Sequence, residues 1–269
     1  MSTLLLVHAH PDDEAISTGG VMMKAKAEGH RVVLVTATLG EAGEIHNMDA
    51  ESARPRLGEV RAEELRRATE ILGVDRSEIL GFRDSGMVGT AENQDPRSFH
   101  QAPLDEAAGR LAAILREERP DVVVTYDSDG TYGHPDHIKA HHVTNAALDL
   151  LQREGWAPSK LYYAAIPRSL MEAFMSQMPE EARSQNPDMR IIGTPDERVT
   201  TRVDVHDYVD RKRKAFSAHV SQNDPNSWFT TMADQIYELA FGTEYYALER
   251  GKPGSELPEA DLFVGVAPN

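Results

Sequence analysis

The chain has 269 residues, 11 His and no Cys, and 28 Lys+Arg against 44 Asp+Glu give a net charge of −16 at pH 7. Without Cys there is no disulfide framework, no thiolate nucleophile and no Cys-ligated zinc or iron–sulfur site, so a metal would have to be held by His, Asp or Glu. The negative charge argues against general nucleic-acid binding, and no apolar run approaches the roughly 20 residues of a membrane helix.

In chain order, residues 4–8 read as a buried strand, followed at once by His8-Ala9-His10-Pro11-Asp12-Asp13-Glu14. The first residues have no basic start and too short an apolar run for a signal peptide, which predicts a soluble, cytoplasmic protein. Residues 31–37 are a second apolar strand, and 61–72 a helix with Leu65, Ala68 and Leu72 turned inward. Residues 79–82 form a third strand. Residues 105–119 form a helix with Ala108, Leu111 and Leu115 on one face, acidic at its start, basic at its end and stopped by Pro120. A strand over 121–126 leads to Tyr132-Gly133-His134-Pro135-Asp136-His137. A helix then opens near Pro135, with Val143, Ala147, Leu150 and Leu151 on one face. Residues 161–166 are a further strand, 199–205 a weaker one, and 211–220 a last helix, basic at its start.

Strands alternating with helices predict parallel βαβ units. Three polar stretches, 40–55, 87–103 and 168–197, read as long loops of the kind that carry function. No repeat or composition shift divides the chain. One domain over 1–269 is expected, with a surface-lying tail from Gly251.

Both His-Pro-Asp turns follow a strand and open a helix, and ligands of open parallel sheets bind at the carboxyl ends of strands. Pro at the first helical position followed by acids is ordinary helix-start chemistry. A helix start needs no His, however, and here both turns place His before Pro, while the second ends in another His. His10, Asp13 and His137 supply two imidazoles and a carboxylate. This donor set suits catalytic zinc with one position open, and it suits ferrous iron as well. Asp12 cannot easily point at the same ion as Asp13 and is free to be a general base. His134 can stand opposite as an imidazolium, with Asp136 holding it and raising its pKa. His8 shares a side with His10, and His141 a helix face with His137; both read as structural neighbours. Trp228 and Phe229 read as core or interface anchors. Gly19-Gly20 lacks the rest of any phosphate-loop motif.

The two turns together resemble the PIG-L/LmbE-like zinc-dependent N-deacetylases. The resemblance extends through Thr38-Leu39-Gly40-Glu41-Ala42-Gly43-Glu44, the Arg61-x-x-Glu64-Leu65 helix and Gly81-Phe82-Arg83-Asp84-Ser85-Gly86-Met87, the last close to the mycothiol-pathway members. It ends at Lys212-x-x-Ala215-x-x-x-His219-x-Ser221-Gln222. It implies a Rossmann-like three-layer α/β sandwich with a mostly parallel sheet and the site at the strands' carboxyl ends. It implies zinc on His10, Asp13 and His137, Asp12 as base, and His134 as acid or electrophile tuned by Asp136. Tyr132 would offer its phenol to the oxyanion, and Arg61 and Asp84 would contact a sugar or cyclitol. The expected activity is removal of acetyl from an N-acetylglucosaminyl-inositol-like aminosugar. The alternative is a mycothiol S-conjugate amidase, with residues 87–103 and 223–229 shaping that choice; the run Ala15-Ile16-Ser17-Thr18 is closer to the deacetylase. A non-catalytic sugar- or nucleotide-binding module is the third reading, and the presence of Asp12 argues against it. The sequence leaves homo-oligomer formation open.

Overall fold

The first strand, β1 (Thr3–His8), has five of its six residues buried, because helices cover both of its faces. In a strand successive side chains point to opposite faces, so a continuous apolar run feeds two cores at once. Leu5 and Val7 face one core, with Val33, Val35, Val123, Leu111, Leu115, Val143 and Ala147. Leu4 and Leu6 face the other, with Val32, Leu34, Val122, Met22, Leu65, Leu72 and Ala215.

The computed structural model describes residues 1–177, 193–227 and 230–267. Trp228, Phe229 and much of the 168–197 stretch lie outside the described residues. After β1 come α1 (Asp13–Ser17), α2 (Gly19–Ala27), β2 (Arg31–Thr38), α3 (Leu57–Leu72), β3 (Arg76–Phe82), α4 (Leu104–Glu118) and β4 (Val122–Thr125). Then follow α5 (Pro135–Arg153), β5 (Lys160–Ala165), α6 (Arg168–Gln177), β6 (Thr201–Asp204), α7 (Val209–Ser217), α8 (Asp234–Phe241) and β7 (Thr243–Arg250). The strands form a seven-stranded sheet in the order β3-β2-β1-β4-β5-β7-β6. β1 pairs in parallel with β2 on one side and β4 on the other, with Leu4 opposite Val122 and Leu6 opposite Val124. β7 is antiparallel to both β5 and β6. The expected three-layer, mostly parallel α/β architecture is therefore present. The strand order reverses between β1 and β4, and such a switch point opens a crevice at the carboxyl ends.

Several elements differ from expectation. α2 and β7 were not expected. In α2, Val21, Met22, Met23 and Ala25 are all buried, so it lacks the one-sided stripe that marks a surface helix. β7 puts a charged residue, Glu244, at a buried position and so breaks the usual alternation. α6 occupies the start of the expected 168–197 loop, and α8 was also unforeseen. Short helices at Ala50–Ala53 and Ala91–Gln94, capped by Asp49 and Thr90, interrupt the other two loops. The tail is exposed over 251–258, but Glu259 and Leu262 are buried, so it is not merely surface-lying. Glu259 meets Lys160 Nζ at 2.9 Å, inside the protein. Among the described residues no helix is long and apolar enough to cross a membrane.

Candidate active site

The two His-Pro-Asp turns leave the carboxyl ends of β1 and β4, the neighbouring strands at the switch point, and meet above the sheet. In the first turn Asp12 adopts φ 114°, a left-handed conformation that a non-glycine residue rarely holds. The His10 amide donates to Asp13 Oδ2 at 2.9 Å, and the Asp12 amide to Glu14 Oε2 at 2.9 Å. In the second turn His134 caps α5, its Nδ1 accepting the Asp136 amide at 3.1 Å, and Pro135 sits at the first helical position. The rings of His10, His134 and His137 lie 4.6–5.3 Å apart, centroid to centroid.

Hydrogen bonds decide which atoms are left to bind an ion. His137 Nδ1 lies 3.2 Å from the Gly130 carbonyl, which makes Nδ1 the donor and leaves the lone pair on Nε2. That Nε2 is buried with no hydrogen-bond partner, and Asp13 Oδ1 stands 3.4 Å from it. The other oxygen, Asp13 Oδ2, is occupied by the His10 amide and by the Tyr126 hydroxyl at 2.7 Å. His10 Nε2 faces Asp136 Oδ2 at 3.3 Å and Asp84 Oδ1 at 3.5 Å, so its Nδ1, 3.5 Å from Asp13 Oδ2, keeps the lone pair. Carboxylates or carbonyls behind the ligating imidazoles are the usual support of a metal site. His10, Asp13 and His137 could thus hold a divalent metal, although one set of donors grouped within 4.8 Å of one another is that of His10, Asp84 and Asp136. A ring nitrogen of His134 also lies within 4.8 Å of those of His10 and His137. Its Nδ1 is already an acceptor, so its Nε2 carries the proton and is a donor.

Protonation follows from the same surroundings. Burial would lower the His10 pKa, but Asp13, Asp136 and Asp84 hold it well above the ordinary value, so a metal bound at Nδ1 would have to displace a proton there. Burial would raise Asp13, but His137 and His10 hold it well below the carboxylate range. Burial pushes Asp12 up to about 6, against the pull of the Arg61 guanidinium. His134 goes down to about 4, through burial and then the like charges of His10 and His137. It is thus a neutral imidazole, not the imidazolium expected from the sequence. Asp136 does pull the His134 pKa upward, as expected, but it does not hold the ring: its carboxylate goes to His10 Nε2, the Ser85 amide at 2.9 Å and the Ser85 hydroxyl.

The matched family model, described as PIG-L, GlcNAc-PI de-N-acetylase, covers residues 5–148. The chain belongs to the PIG-L family. A 1D-myo-inositol 2-acetamido-2-deoxy-alpha-D-glucopyranoside deacetylase of Salinispora arenicola (strain CNS-205) is 44 % identical, over 98 % of this chain and 91 % of its own. The protein of the same name from Acidothermus cellulolyticus is 45 % identical, over 98 % and 95 %. Among solved structures, N,N'-diacetylchitobiose deacetylase from Pyrococcus horikoshii superposes with a TM-score of 0.63 at 21 % identity, covering 92 % of this chain and 84 % of that one. GalB, the 4-carboxy-2-hydroxymuconate hydratase of Pseudomonas putida KT2440, does so with 0.62 at 22 %, covering 96 % and 100 %. A hydratase on the same frame shows that these likenesses concern fold alone.

In this PIG-L chain the other predicted residues also gather at the crevice. Tyr132 is half exposed and stands edge-on to His137 and His134, after Thr131 at φ 66°. Desolvation, followed by Asp13, raises its pKa and keeps the phenol a donor. Arg61 and Asp84 are each 3 % exposed and engaged with the protein itself. Arg61 donates to the Gly40 and Pro11 carbonyls and, at 3.2 Å, to Asp12 Oδ2. Asp84 accepts the Ala42 and Gly86 amides and faces His10. Both thus brace the protein itself, Arg61 the first turn and Asp84 the Ala42 and Gly86 amides and His10. Beyond Asp84 an open groove of about 900 Å³ is lined by Arg54, Arg83, Arg97, Glu41 and Glu92, among others.

Sequence reasoning missed Tyr126. It ends the stretch expected as a strand, and its ring stacks on His137, 4.2 Å between centroids. Its hydroxyl donates to Asp13 Oδ2 and accepts the Ala9 amide at 2.9 Å. His8, expected as a neighbour rather than a ligand, lies 3.2 Å from that hydroxyl through Nδ1.

Proposed function

We propose that this chain is a zinc-dependent hydrolase that removes the acetyl group from an N-acetylglucosaminyl-inositol substrate. The observation that carries the reading is the buried His137 Nε2, which has no hydrogen-bond partner and faces the Asp13 carboxylate, Oδ1 at 3.4 Å. The relatives of 44 % and 45 % identity, named for that deacetylation, support the substrate. His10, Asp13 and His137 would hold the zinc, which when bound polarises the amide carbonyl and acidifies water.

The chain's own groups supply the rest. Asp12, with a pKa near 6 and 21 % of its side chain exposed, is ionised at neutral pH and takes the proton of the attacking water. The acquired proton then goes to the departing amine, so one carboxyl serves as base and acid in turn. Neutral His134 donates from Nε2 to the oxygen that becomes negative, and the Tyr132 phenol is a second donor there. Asp136 acts on His10, fixing its ring and tautomer.

A second reading, amide cleavage of a larger conjugate, has its own observation. An apolar cavity of about 250 Å³ adjoins the Tyr132 turn and the end of α1, lined by Ile16, Ile166, Leu170, Met171 and Phe241 among others. The deciding experiment is acetate release from N-acetylglucosaminyl-inositol by chelated and zinc-restored protein, beside cysteinyl-amide cleavage of a thiol conjugate. Zinc-restored acetate release supports the deacetylase. Conjugate cleavage without acetate release favours the amidase. Neither reaction, from protein shown to hold zinc, sinks both.

A further inference from the structure

Asp12 must keep a left-handed backbone that its side chain disfavours. The strain at such a residue, of order 1–3 kcal/mol, persists only where the surroundings over-determine it. Two arms reach the turn. One is Arg61 on α3, whose guanidinium binds the Pro11 carbonyl and Asp12 Oδ2. The other reaches the Asp12 amide itself. That amide donates to Glu14 Oε2 at 2.9 Å, and Glu14 Oε1 receives His219 Nε2 at 2.7 Å. Glu14 and His219 are both 0 % exposed, although 205 residues separate them in sequence.

His219 is itself anchored. It begins the turn after α7, and the Asn223 side chain donates to the carbonyls of Phe216 and His219, each at 2.8 Å. Two residues on, Ser221 gives its amide and hydroxyl to Glu64, each at 2.7 Å, and Glu64 lies on α3 beside Arg61. The two arms therefore spring from one packed unit, α3 with the turn after α7. His219 lies beyond the 5–148 span that defines the family match.

We infer that Glu14 and His219 form a brace that fixes the strained backbone of Asp12, so that His219 is a positioning residue for the reaction. The inference rests on the reading of Asp12 as the base. With the brace intact, the Asp12 amide is tied down and the carboxylate is aimed into the crevice. Without it, the backbone relaxes toward negative φ and swings the carboxylate away, while the ligands His10, Asp13 and His137 keep their own supports.

The test compares H219A and H219Q, since Gln retains an N–H to offer Glu14. Hydrogen exchange of the Asp12 amide is followed by NMR, together with kcat, KM and zinc content. In H219A the Asp12 amide is expected to exchange at least tenfold faster, with β1 and β4 amides unchanged. Zinc content should hold, KM should stay within about threefold, and kcat should fall about 10–100-fold; H219Q should recover most of both losses. Unchanged Asp12 exchange in folded H219A overturns the brace. Faster exchange with unchanged kcat overturns the positioning role. If H219A does not fold, H219F decides: it keeps the ring volume but has no N–H to offer Glu14, and wild-type exchange and kcat there overturn the proposal. The exchange readout needs no turnover, and D12N assayed alongside tests the base reading separately.

Discussion

At Asp12 two demands meet: a carboxylate with a pKa near 6, and a backbone at φ 114°. D12N keeps the shape and loses the base, so kcat should fall about 10²–10⁴-fold with metal content unchanged by elemental analysis. D12G removes the steric penalty as well, so an inactive protein about 1 kcal/mol more stable to urea is the expected outcome. An unchanged or lower unfolding midpoint would show that the turn is not strained. At Tyr126 the hydroxyl and the ring have separate jobs. Y126F keeps the stack on His137 but leaves the Ala9 amide and Asp13 Oδ2 short of a partner. Its zinc dissociation constant, measured by competition with a chelator, should rise about 10–100-fold. The residues proposed to hold the metal stand out in the sequence because both turns repeat a local pattern, His-Pro-Asp after a strand. Tyr126 was not, because its role depends on Asp13, 113 positions away. The Asp136–His134 pairing failed for a local reason. At a helix start the capping side chain bonds a backbone amide, and the Asp136 carboxylate was free to turn toward β1 and β3.

Among the elements, β7 supplies a support that reaches the catalytic turn indirectly. Glu244 accepts the Gly20 and Val21 amides at the start of α2, each at 2.8 Å, and pairs with Lys212 Nζ at 2.6 Å. Val205 closes the same corner: a Cβ on Gly20 would sit 2.6 Å from it. Only glycine fits there, so the pair Gly19-Gly20, which invites a phosphate-loop reading, serves close packing. E244A leaves Lys212 buried and unpaired and two helix amides orphaned. It should cost about 3–5 kcal/mol in urea unfolding, whereas E244A combined with K212M should recover part of that loss. A cost under 1 kcal/mol for E244A would show that the pair is not needed. The parallel strands were legible because full burial makes them continuously apolar. β7 was hidden by Glu244, a charge whose partners lie on α2 and α7, and α2 by being apolar on all sides.

For the molecule as a whole, the −16 charge shows its effect mainly at the periphery, while the interior holds paired charges such as Lys160 with Glu259. Burial would raise the Glu259 carboxyl, but Lys160, the Gly254 amide and the Tyr162 hydroxyl outweigh it and hold it low. A carboxyl depressed in the folded state gives its full stabilisation above the unfolded value, about 4.3, and loses it as pH falls through the folded value. E259Q should therefore be less stable than wild type at pH 7, with the difference narrowing as pH falls below about 4.3 in urea midpoints. A gap that stays constant over that range would exclude the linkage. The sheet order places the ligands of both turns at one switch point, yet the brace of the first turn comes from His219, far along the chain. During synthesis this order imposes a delay. Every residue proposed to touch the metal or the amide has been synthesised once α5 is made, but His219 follows 82 residues after His137. At about 5–20 residues per second, that is a wait on the order of ten seconds. In that interval the first turn already has Arg61 and Glu14 but not the His219 that anchors Glu14, so the last part of its support is also the last to be made.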